Sequence, residues 1–397
     1  MSKTIVEGID LEGQELIAIV RPQWQKSRCG SCGTIAPRYE RKPKPRRWRH
    51  LGHGSMKMFV EYQLWRVSCP ICGGVKTERV PWARPGSHFT RDFEEFTAFL
   101  AQTTDKTTVT RLMGISWKTV GSIIDRLVLD YRDPERLEGL KRIGVDEFSY
   151  RRRHRYITTI VDHDTGKVVW SEKGHGAKAL DRFLKVLGEE GRAQIELVSI
   201  DMAGGYKKAV RDGLPNAEIV FDRFHVQRLV SKALDEIRRE LLRETRGTPE
   251  GKKLFKSRFA LLRRWYRTRE SEEEKLEEIR RTNQKLYRAY LMYQDFADIL
   301  DIPDPDEAER ALRGWMGWAS RSRLRPFVKA CRTIREHLDG ILLYLRSGRL
   351  TNARVEGINN RIRVIARRAY GFHSAQALIS MIFLCCGGIT LNPPLPV

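Results

Sequence analysis

The feature that most constrains the fold is a series of β-prone and helical segments between residues 141 and 222. Their residue types and periodicities predict three strands, a helix, a strand, a helix and a strand. In chain order these segments are residues 142–146, 156–161, 167–170, 177–188, 195–200, 206–211 and 217–221. The sequence therefore predicts the order βββαβαβ.

Two acidic residues stand at defined places in this order, which belongs to the ribonuclease H-like fold. Asp146 lies at the end of the first strand segment, and Asp201 follows the fourth, which pairs beside the first in that fold. Neighbouring carboxylates repel each other, and two divalent metals remove that penalty. Such metals also activate water at a phosphodiester, and Mg²⁺ suits all-oxygen sites. Asp222 also ends a strand and is the alternative to Asp201, but the fifth strand lies one position further from the first.

A helix at 351–363 provides the best candidate for a third acid, Glu356. Glu356 and Asn360 form an i, i+4 pair that flanks an apolar stripe made of Val355, Ile358, Ile362 and Ile365. The helical, charge-rich residues 231–350 must then be an insertion between the last strand and this helix. We interpret the tryptophans of that insertion as core, with stacking on an unpaired base as an alternative for one of Trp265, Trp315 and Trp318.

Two CxxC pairs near the N-terminus are separated by 36 residues, and each pair is followed by glycine. Four thiolates in such pairs are typical of a closed, tetrahedral structural zinc site, here Cys29, Cys32, Cys69 and Cys72. The alternatives are four unrelated thiols, iron in place of zinc, or His50 or His53 replacing a cysteine. The three other cysteines lie in apolar surroundings, which predicts buried thiols at Cys331, Cys385 and Cys386.

Residues 107–129 have the pattern of a helix-turn-helix. A short helix at 107–113 ends at Gly114, and Ser116 can cap a second helix with apolar residues at helical spacing. In a DNA-reading helix-turn-helix the exposed face of the second helix enters the major groove. The candidates for base contact are Lys118, Thr119 and Ser122.

The chain has 73 Lys and Arg against 50 Asp and Glu, a net charge of +23, which indicates a polyanionic partner. Prolines favour an extended basic arm between the CxxC pairs, and further basic residues follow in the first hairpin and on the Glu356 helix. These candidate DNA contacts are Lys42, Lys44, Arg46, Arg47, Arg49, Arg151, Arg152, Arg153, Arg361 and Arg363.

A membrane location is disfavoured, because the longest apolar stretch, 377–389, has 13 residues. A spanning helix needs about 20 apolar residues. The N-terminus has no secretory signal pattern. We therefore expect a soluble, intracellular protein.

Four motifs together resemble the DDE transposases of bacterial insertion sequences, and the ISL3 family most closely, from about residue 25 to 388. The motifs are Asp146-Glu-Phe, Asp201-Met with Tyr206, Asp222-Arg-Phe-His225, and Thr351-Asn-Ala-Arg-Val-Glu356-Gly-Ile-Asn359. The resemblance implies that Asp146, Asp201 and Glu356 are the catalytic, metal-binding triad. Asp222 and His225 match its DxxH signature and, with Asn360, would support the triad.

The resemblance further implies two catalytic Mg²⁺ ions, for which Mn²⁺ can substitute, and one structural Zn²⁺. The partners would be double-stranded DNA, as transposon ends and target, and further copies of the chain in a homodimer or larger assembly. Cut-and-paste transposition is the expected function, and the resemblance implies a cytoplasmic, nucleoid-associated location in a bacterium. The alternatives are a non-catalytic DNA-binding regulator derived from a transposase and an RNase H-like nuclease.

The predicted fold class is a multidomain α/β protein with an RNase H-like catalytic core interrupted by an all-helical insertion. The predicted domains are a zinc ribbon, a helix-turn-helix, the first part of the core, the insertion and the final core helices. Their boundaries are 1–83, 84–135, 140–230, 231–350 and 351–390.

Overall fold

The computed structural model describes residues 1, 3–151, 155–202, 205–221, 223–347, 353–369 and 371–393. The chain divides into two compact units. The first combines Met1–Asp133 with Val364–Val397, and the second is Pro134–Arg363.

Strands of the first unit form a four-stranded and a three-stranded sheet. They are β1 (Thr4–Glu12), β2 (Glu15–Pro22), β3 (Arg38–Arg41), β4 (Arg46–His53), β5 (Met56–Tyr62), β6 (Trp65–Ser68) and β7 (Val75–Thr77). The larger sheet has the order β1-β2-β5-β4 and the smaller β3-β6-β7. Trp48 of β4 pairs with Val60 and packs edge-on against Trp82, with ring centroids 5.7 Å apart. These side chains form the core beside the larger sheet.

Three helices follow in the first unit: α1 (Arg91–Thr103), α2 (Lys106–Met113) and α3 (Trp117–Tyr131). Gly114 ends α2 at φ +56°, a left-handed conformation that favours glycine. The Ser116 hydroxyl accepts a hydrogen bond from the Thr119 amide at 3.1 Å and so caps α3. The buried side of α3 consists of Val120, Ile123, Ile124, Leu127 and Val128. The predicted helix-turn-helix is confirmed in its turn, its cap and its apolar face.

A five-stranded sheet forms the centre of the second unit. Its elements are β8 (Arg142–Arg151), β9 (Arg155–Asp162), β10 (Lys167–Lys173), α4 (Ala177–Gln194), β11 (Leu197–Ile200), α5 (Tyr206–Gly213) and β12 (Glu218–Phe221). The sheet order is β10-β9-β8-β11-β12. β8, β9 and β10 are antiparallel, whereas β11 is parallel to β8 and β12. The predicted order βββαβαβ is confirmed, and the fourth strand does neighbour the first.

The region between β12 and residue 347 is helical, as predicted. Its described elements are α6 (Arg223–Glu244), α7 (Pro249–Phe255), α8 (Arg258–Leu262), a 3₁₀ helix (Trp265–Arg267), α9 (Glu270–Thr282), α10 (Gln284–Ile299), α11 (Pro305–Arg321), α12 (Arg325–Glu336) and α13 (Leu338–Arg346). Trp315 lies in the core, where its indole N–H donates to the Met292 carbonyl at 2.8 Å. Its ring centroid is 4.6 Å from that of Phe296.

Two helices complete the chain, α14 (Ala353–Arg368) and α15 (Ala375–Cys386). The predicted apolar stripe of α14 is buried, and so are both cysteines of α15. The sequence analysis grouped residues 351–390 with the catalytic core, but the contacts of α15 are with α1 and α3. The Gln102 amide fixes this packing by donating to the Leu384 carbonyl at 2.8 Å. None of the helices in the described residues is both long and apolar enough to span a membrane.

Candidate functional site

The first two predicted acids lie side by side on the sheet of the second unit. Asp146 is part of β8, and Asp201 comes directly after β11. These strands are parallel, and Ser199 pairs with Gly144. Extending that register by two residues sets Asp201 beside Asp146. The sequence prediction that these two carboxylates share one place on the fold therefore agrees with the strand pairing.

Asp146 lies in a partly buried pocket of polar contacts. Its Oδ1 accepts a hydrogen bond from the Glu147 amide at 2.7 Å, and its Oδ2 accepts one from the side-chain amide of Asn359. Burial raises the pKa of Asp146 above its ordinary value, and the charge of Asp201 acts in the same direction. The hydrogen bonds and the nearby His225 oppose that shift.

His225 lies in the first turn of α6 and contacts the second acid. Its Nδ1 is 3.2 Å from Oδ2 of Asp201. A helix that starts directly after β12 thus brings an imidazole to the carboxylate on the neighbouring strand. Asp222, the other member of the predicted DxxH signature, lies outside the described residues.

Helix α14 lies along β8 and brings the third acid to this region. Val355 packs on Gly144, where an added Cβ would meet its Cγ2 at 2.5 Å, and Asn359 contacts Asp146 one helical turn later. Four residues of a helix rise about 6 Å, and two residues of a strand rise about 6.6 Å. The spacing of Val355 and Asn359 along α14 therefore matches the spacing of Gly144 and Asp146 along β8. Glu356 is partly exposed and precedes Asn359 by three residues, which puts both on one side of the helix.

Asn359, rather than Asn360, is the asparagine that meets the acids. It is 4% exposed, and its Oδ1 has no hydrogen-bond partner among the described residues. Asn360 is exposed and accepts a hydrogen bond from Arg363 at 2.7 Å. The i, i+4 argument from Glu356 pointed to Asn360. The hydrogen bond to Asp146 is made instead by the i, i+3 neighbour Asn359, on the helix that packs on Gly144 through Val355.

The carboxylates fit hard divalent cations by their donor chemistry. All the acids offer oxygen ligands, which Mg²⁺ prefers. In the described parts of the chain they do not form a group of three ligand atoms within 4.8 Å of one another. A pair of metals about 3.5–4 Å apart is held by carboxylates more widely spread than the ligands of a single ion.

The four predicted cysteines of the first unit do form a compact group. Their Sγ atoms all lie within 4.8 Å of one another, with 3.5 Å between Cys32 and Cys69 and 4.0 Å between Cys29 and Cys72. The Cys72 amide donates to Cys69 at 3.4 Å, and a hydrogen bond from Thr34 lowers the pKa of Cys32 to about 6. Four sulfurs with thiolate-stabilising contacts match the ligand set of structural zinc.

Neither histidine that was weighed as a zinc ligand belongs to this group. Nδ1 of His50 lies 2.8 Å from the Thr90 hydroxyl. Gly30 lets the first CxxC pair approach β7 closely, because a Cβ there would lie 2.5 Å from the Thr77 carbonyl oxygen. Close packing of the backbone thus helps to hold the four cysteines together.

The basic segment between the CxxC pairs is only partly an arm. Its second half is β4, where Arg47 bonds to Glu12 and to Glu61, at 3.0 and 2.7 Å. The other two predicted arginines of this strand donate to backbone carbonyls, Arg46 to Ser87 at 2.6 Å and Arg49 to Gly114 at 2.8 Å. Lys44 is exposed and Lys42 partly so.

On α3, the second helix of the helix-turn-helix, Lys118 and Ser122 are exposed as predicted. They line a cleft together with His373 and Ser374, which precede α15. The Thr119 hydroxyl lies 2.8 Å from that of Ser116, so it takes part in the helix cap. Of the remaining predicted DNA contacts, Arg361 and Arg363 are exposed on α14. Arg152, Arg153 and the side chain of Arg151 lie outside the described residues.

Known proteins show the same combination of parts. The DDE transposase family of ISL3 elements, described as "Transposase", matches residues 143–382. The family described as "Helix-turn-helix domain of transposase family ISL3" matches residues 78–128. The transposase for insertion sequence element IS1557 of Mycobacterium tuberculosis is 36% identical over 424 residues, covering 99% of this chain and 94% of the relative. The transposase for insertion sequence element IS1001 of Bordetella parapertussis is 28% identical over 374 residues, covering 94% of this chain and 91% of the relative. The chain therefore belongs to the ISL3 transposase family.

Proposed function

We propose that this chain is an active DNA transposase that cuts the ends of its insertion sequence and joins them to target DNA. The observation that carries the proposal is the meeting of β8, β11 and α14. Asp146 lies on β8 and Asp201 directly follows β11, the adjacent parallel strand, and Asn359 ties the Glu356 helix to Asp146. Membership in a DDE transposase family supports the same assignment.

In this proposal Asp146, Asp201 and Glu356 hold two Mg²⁺ ions, for which Mn²⁺ can substitute. Bound there, the ions would activate water and stabilise the oxygen that leaves phosphorus. Asn359 keeps the Asp146 carboxylate oriented, and His225 does the same for Asp201. Asp222 and Asn360 stay proposals as supporting residues, since Asp222 lies outside the described part and Asn360 bonds to Arg363.

The reaction needs two displacements at phosphorus. Water first attacks the phosphodiester at the element's end, which breaks the P–O3′ bond and frees a 3′-hydroxyl. That hydroxyl then attacks a target phosphodiester, forms a new P–O bond and expels the target's own 3′ oxygen. Both steps are in-line exchanges at one carboxylate site, so no covalent protein–DNA intermediate is required.

We further propose that the first unit selects the DNA. One Zn²⁺ bound by the four cysteines would hold the small sheet together, and the helix-turn-helix would read the terminal inverted repeats through the exposed Lys118 and Ser122. Lys44, Arg361 and Arg363 are exposed cations suited to phosphate. Two ends must be handled together, so the active form would be a dimer or larger assembly on DNA in the bacterial nucleoid.

The test uses purified protein, Mg²⁺, labelled DNA of the element's ends and a target plasmid. Asp146→Asn, Asp201→Asn and Glu356→Gln are compared with Glu172→Gln, whose carboxylate pairs with Arg182 on the exposed edge of the sheet. We expect cleavage and joining by wild type and Glu172→Gln, and binding without cleavage by the triad variants.

The other outcomes separate the alternatives. Cleavage without joining would identify a nuclease. End binding without cleavage by the wild-type protein would identify a regulator. Normal cleavage by Glu356→Gln would show that the third acid is misassigned.

A further inference from the structure

The 3₁₀ helix between α8 and α9 exposes two adjacent aromatic side chains. Trp265 is 58% and Tyr266 is 53% exposed, and their ring centroids are 5.7 Å apart at a right angle. Burying a side chain of this size is worth about 1.5–3 kcal/mol. Two large rings next to each other on the surface therefore form an aromatic patch that a ligand would gain free energy by covering, unlike the core residue Trp315 in the same insertion.

Side chains of α10 hold the backbone next to these rings in place. Gln294 is 5% exposed, and its side-chain amide bonds to both sides of the turn. It donates to the Arg263 carbonyl at 2.7 Å and accepts from the Trp265 amide at 3.2 Å. The Tyr293 hydroxyl donates to the Leu262 carbonyl at 3.0 Å. Since a buried amide is committed to this turn, the rings are presented on a preorganised surface.

Arginines surround the aromatic pair, and they differ in how far their charge is neutralised. Arg264 is bound by Asp298 and Asp301 and lies over the Tyr266 ring at 5.4 Å. Arg267 lies over the same ring, 5.6 Å from its centroid, and is exposed. Within the described chain no carboxylate forms an ion pair with Arg267. The turn thus offers the available guanidinium of Arg267 beside two exposed aromatic rings.

This combination fits unpaired nucleotides. Aromatic rings stack on bases of any sequence, and a guanidinium next to them binds the phosphate. In a duplex the base faces are already stacked, so the rings have access to them only where strands are open. Tryptophan, tyrosine and arginine also occur in protein interfaces. The chain's net charge of +23 favours the polyanion.

We propose that residues 263–269 bind unpaired nucleotides of the DNA substrate, with Trp265 and Tyr266 stacking on bases and Arg267 contacting a phosphate. The proposal rests on the proposed function, because strands open where a transposase cuts its ends. It adds a DNA contact in the helical insertion, apart from the carboxylates and from the helix-turn-helix.

The experiment measures binding, without cleavage, in an Asp146→Asn background with EDTA. The probes are two oligonucleotides of the element's end, one fully paired and one with a single-stranded overhang that carries 2-aminopurine. Trp265→Ala, Tyr266→Ala and Arg267→Gln are compared with Trp318→Ala, which removes a 37% exposed tryptophan from α11. Thermal melting of each variant reports whether it is folded.

We expect the overhang to bind more tightly than the paired end and its 2-aminopurine fluorescence to be quenched. Trp265→Ala should weaken overhang binding about 5- to 150-fold, as loss of one base stack does, and leave paired-end binding unchanged. Trp318→Ala should change neither. Equal affinity of wild type for both probes, equal losses on both, or unchanged quenching in Trp265→Ala would each overturn the proposal.

Failure of the proposed function would look different. A protein that shows this overhang preference and yet never cleaves in Mg²⁺ would refute the transposase activity and keep the stacking site. A protein that cleaves and joins with no role for Trp265 would do the reverse.

Discussion

Gly144→Ala tests whether contact between α14 and β8 positions the catalytic helix. An added Cβ would lie 2.5 Å from Cγ2 of Val355 and 3.0 Å from both the His163 Nε2 and the Ser199 Oγ. Carbon atoms in ordinary contact are about 3.5–4.0 Å apart, so α14 must move outward by about 1 Å. The His163 and Ser199 side chains cannot easily move away from the added Cβ, because both are buried and are bonded to each other at 2.7 Å.

A shift of that size has two expected costs. Overpacking a buried site costs about 1–3 kcal/mol of folding stability. Misplacing a catalytic group by about 1 Å can cost about 100-fold in rate. We therefore expect Gly144→Ala to remain folded and to lose about 100-fold in the rate of end cleavage. Binding of the paired end should not change, because the helix-turn-helix belongs to the first unit.

A second substitution identifies the cause of that loss. Val355→Ala removes the Cγ2 atom, so the double variant should cleave faster than Gly144→Ala alone. Gly314→Ala is the matched control, because a Cβ there meets nothing within 4 Å. Single-turnover cleavage and thermal melting measure both effects. A double variant no faster than Gly144→Ala would refute the claim that Val355 transmits the displacement to the helix.

Three further predictions concern the same two units. Asn359→Ala should slow cleavage more than Asn360→Ala, because Asn359 bonds to Asp146 and Asn360 to Arg363; a rate assay at saturating Mg²⁺ compares them. Chelating zinc should lower the melting temperature of the first unit and abolish end binding, and a chelator-treated protein that melts and binds normally would argue against a structural metal. Glu94→Gln should destabilise the fold by about 1–3 kcal/mol in a denaturant titration, because the buried Arg84 loses the charge of one of its three carboxylate partners and keeps Glu95 and Asp130.

The sequence was most informative where one local pattern decides the structure. The helix-turn-helix followed from a glycine, a capping serine and apolar spacing, all of which act within a few residues. The strand order followed from β-formers and turns, and it placed Asp146 and Asp201 next to each other. Paired CxxC motifs likewise brought together four sulfurs that are far apart in the chain.

Contacts made at a distance were harder to predict. On a helical wheel, both Asn359 and Asn360 lie near Glu356. Only the packing of α14 on Gly144 determines that Asn359 faces Asp146. The apolar α15 gave no sign that it packs on α1 and α3, since an apolar helix fits any apolar face. The role of Gln294 under the aromatic turn depends on α10, which lies outside the turn's own sequence.

The net charge correctly predicted a polyanionic partner, but it could not show which cations are available to contact that partner. Arg47 is bound by two glutamates, and Arg84 is buried among carboxylates, so the charge of each is balanced within the first unit. Phosphate contact must then depend on exposed cations such as Lys44, Lys118 and Arg267. Each cation that meets a phosphate adds about −0.9 to the slope of log affinity against log salt on duplex DNA. Lys118→Ala should therefore flatten that slope by about one such step, and Arg47→Ala should leave it unchanged while lowering stability. The reverse result would mean that the ion pairs of β4 open when DNA binds.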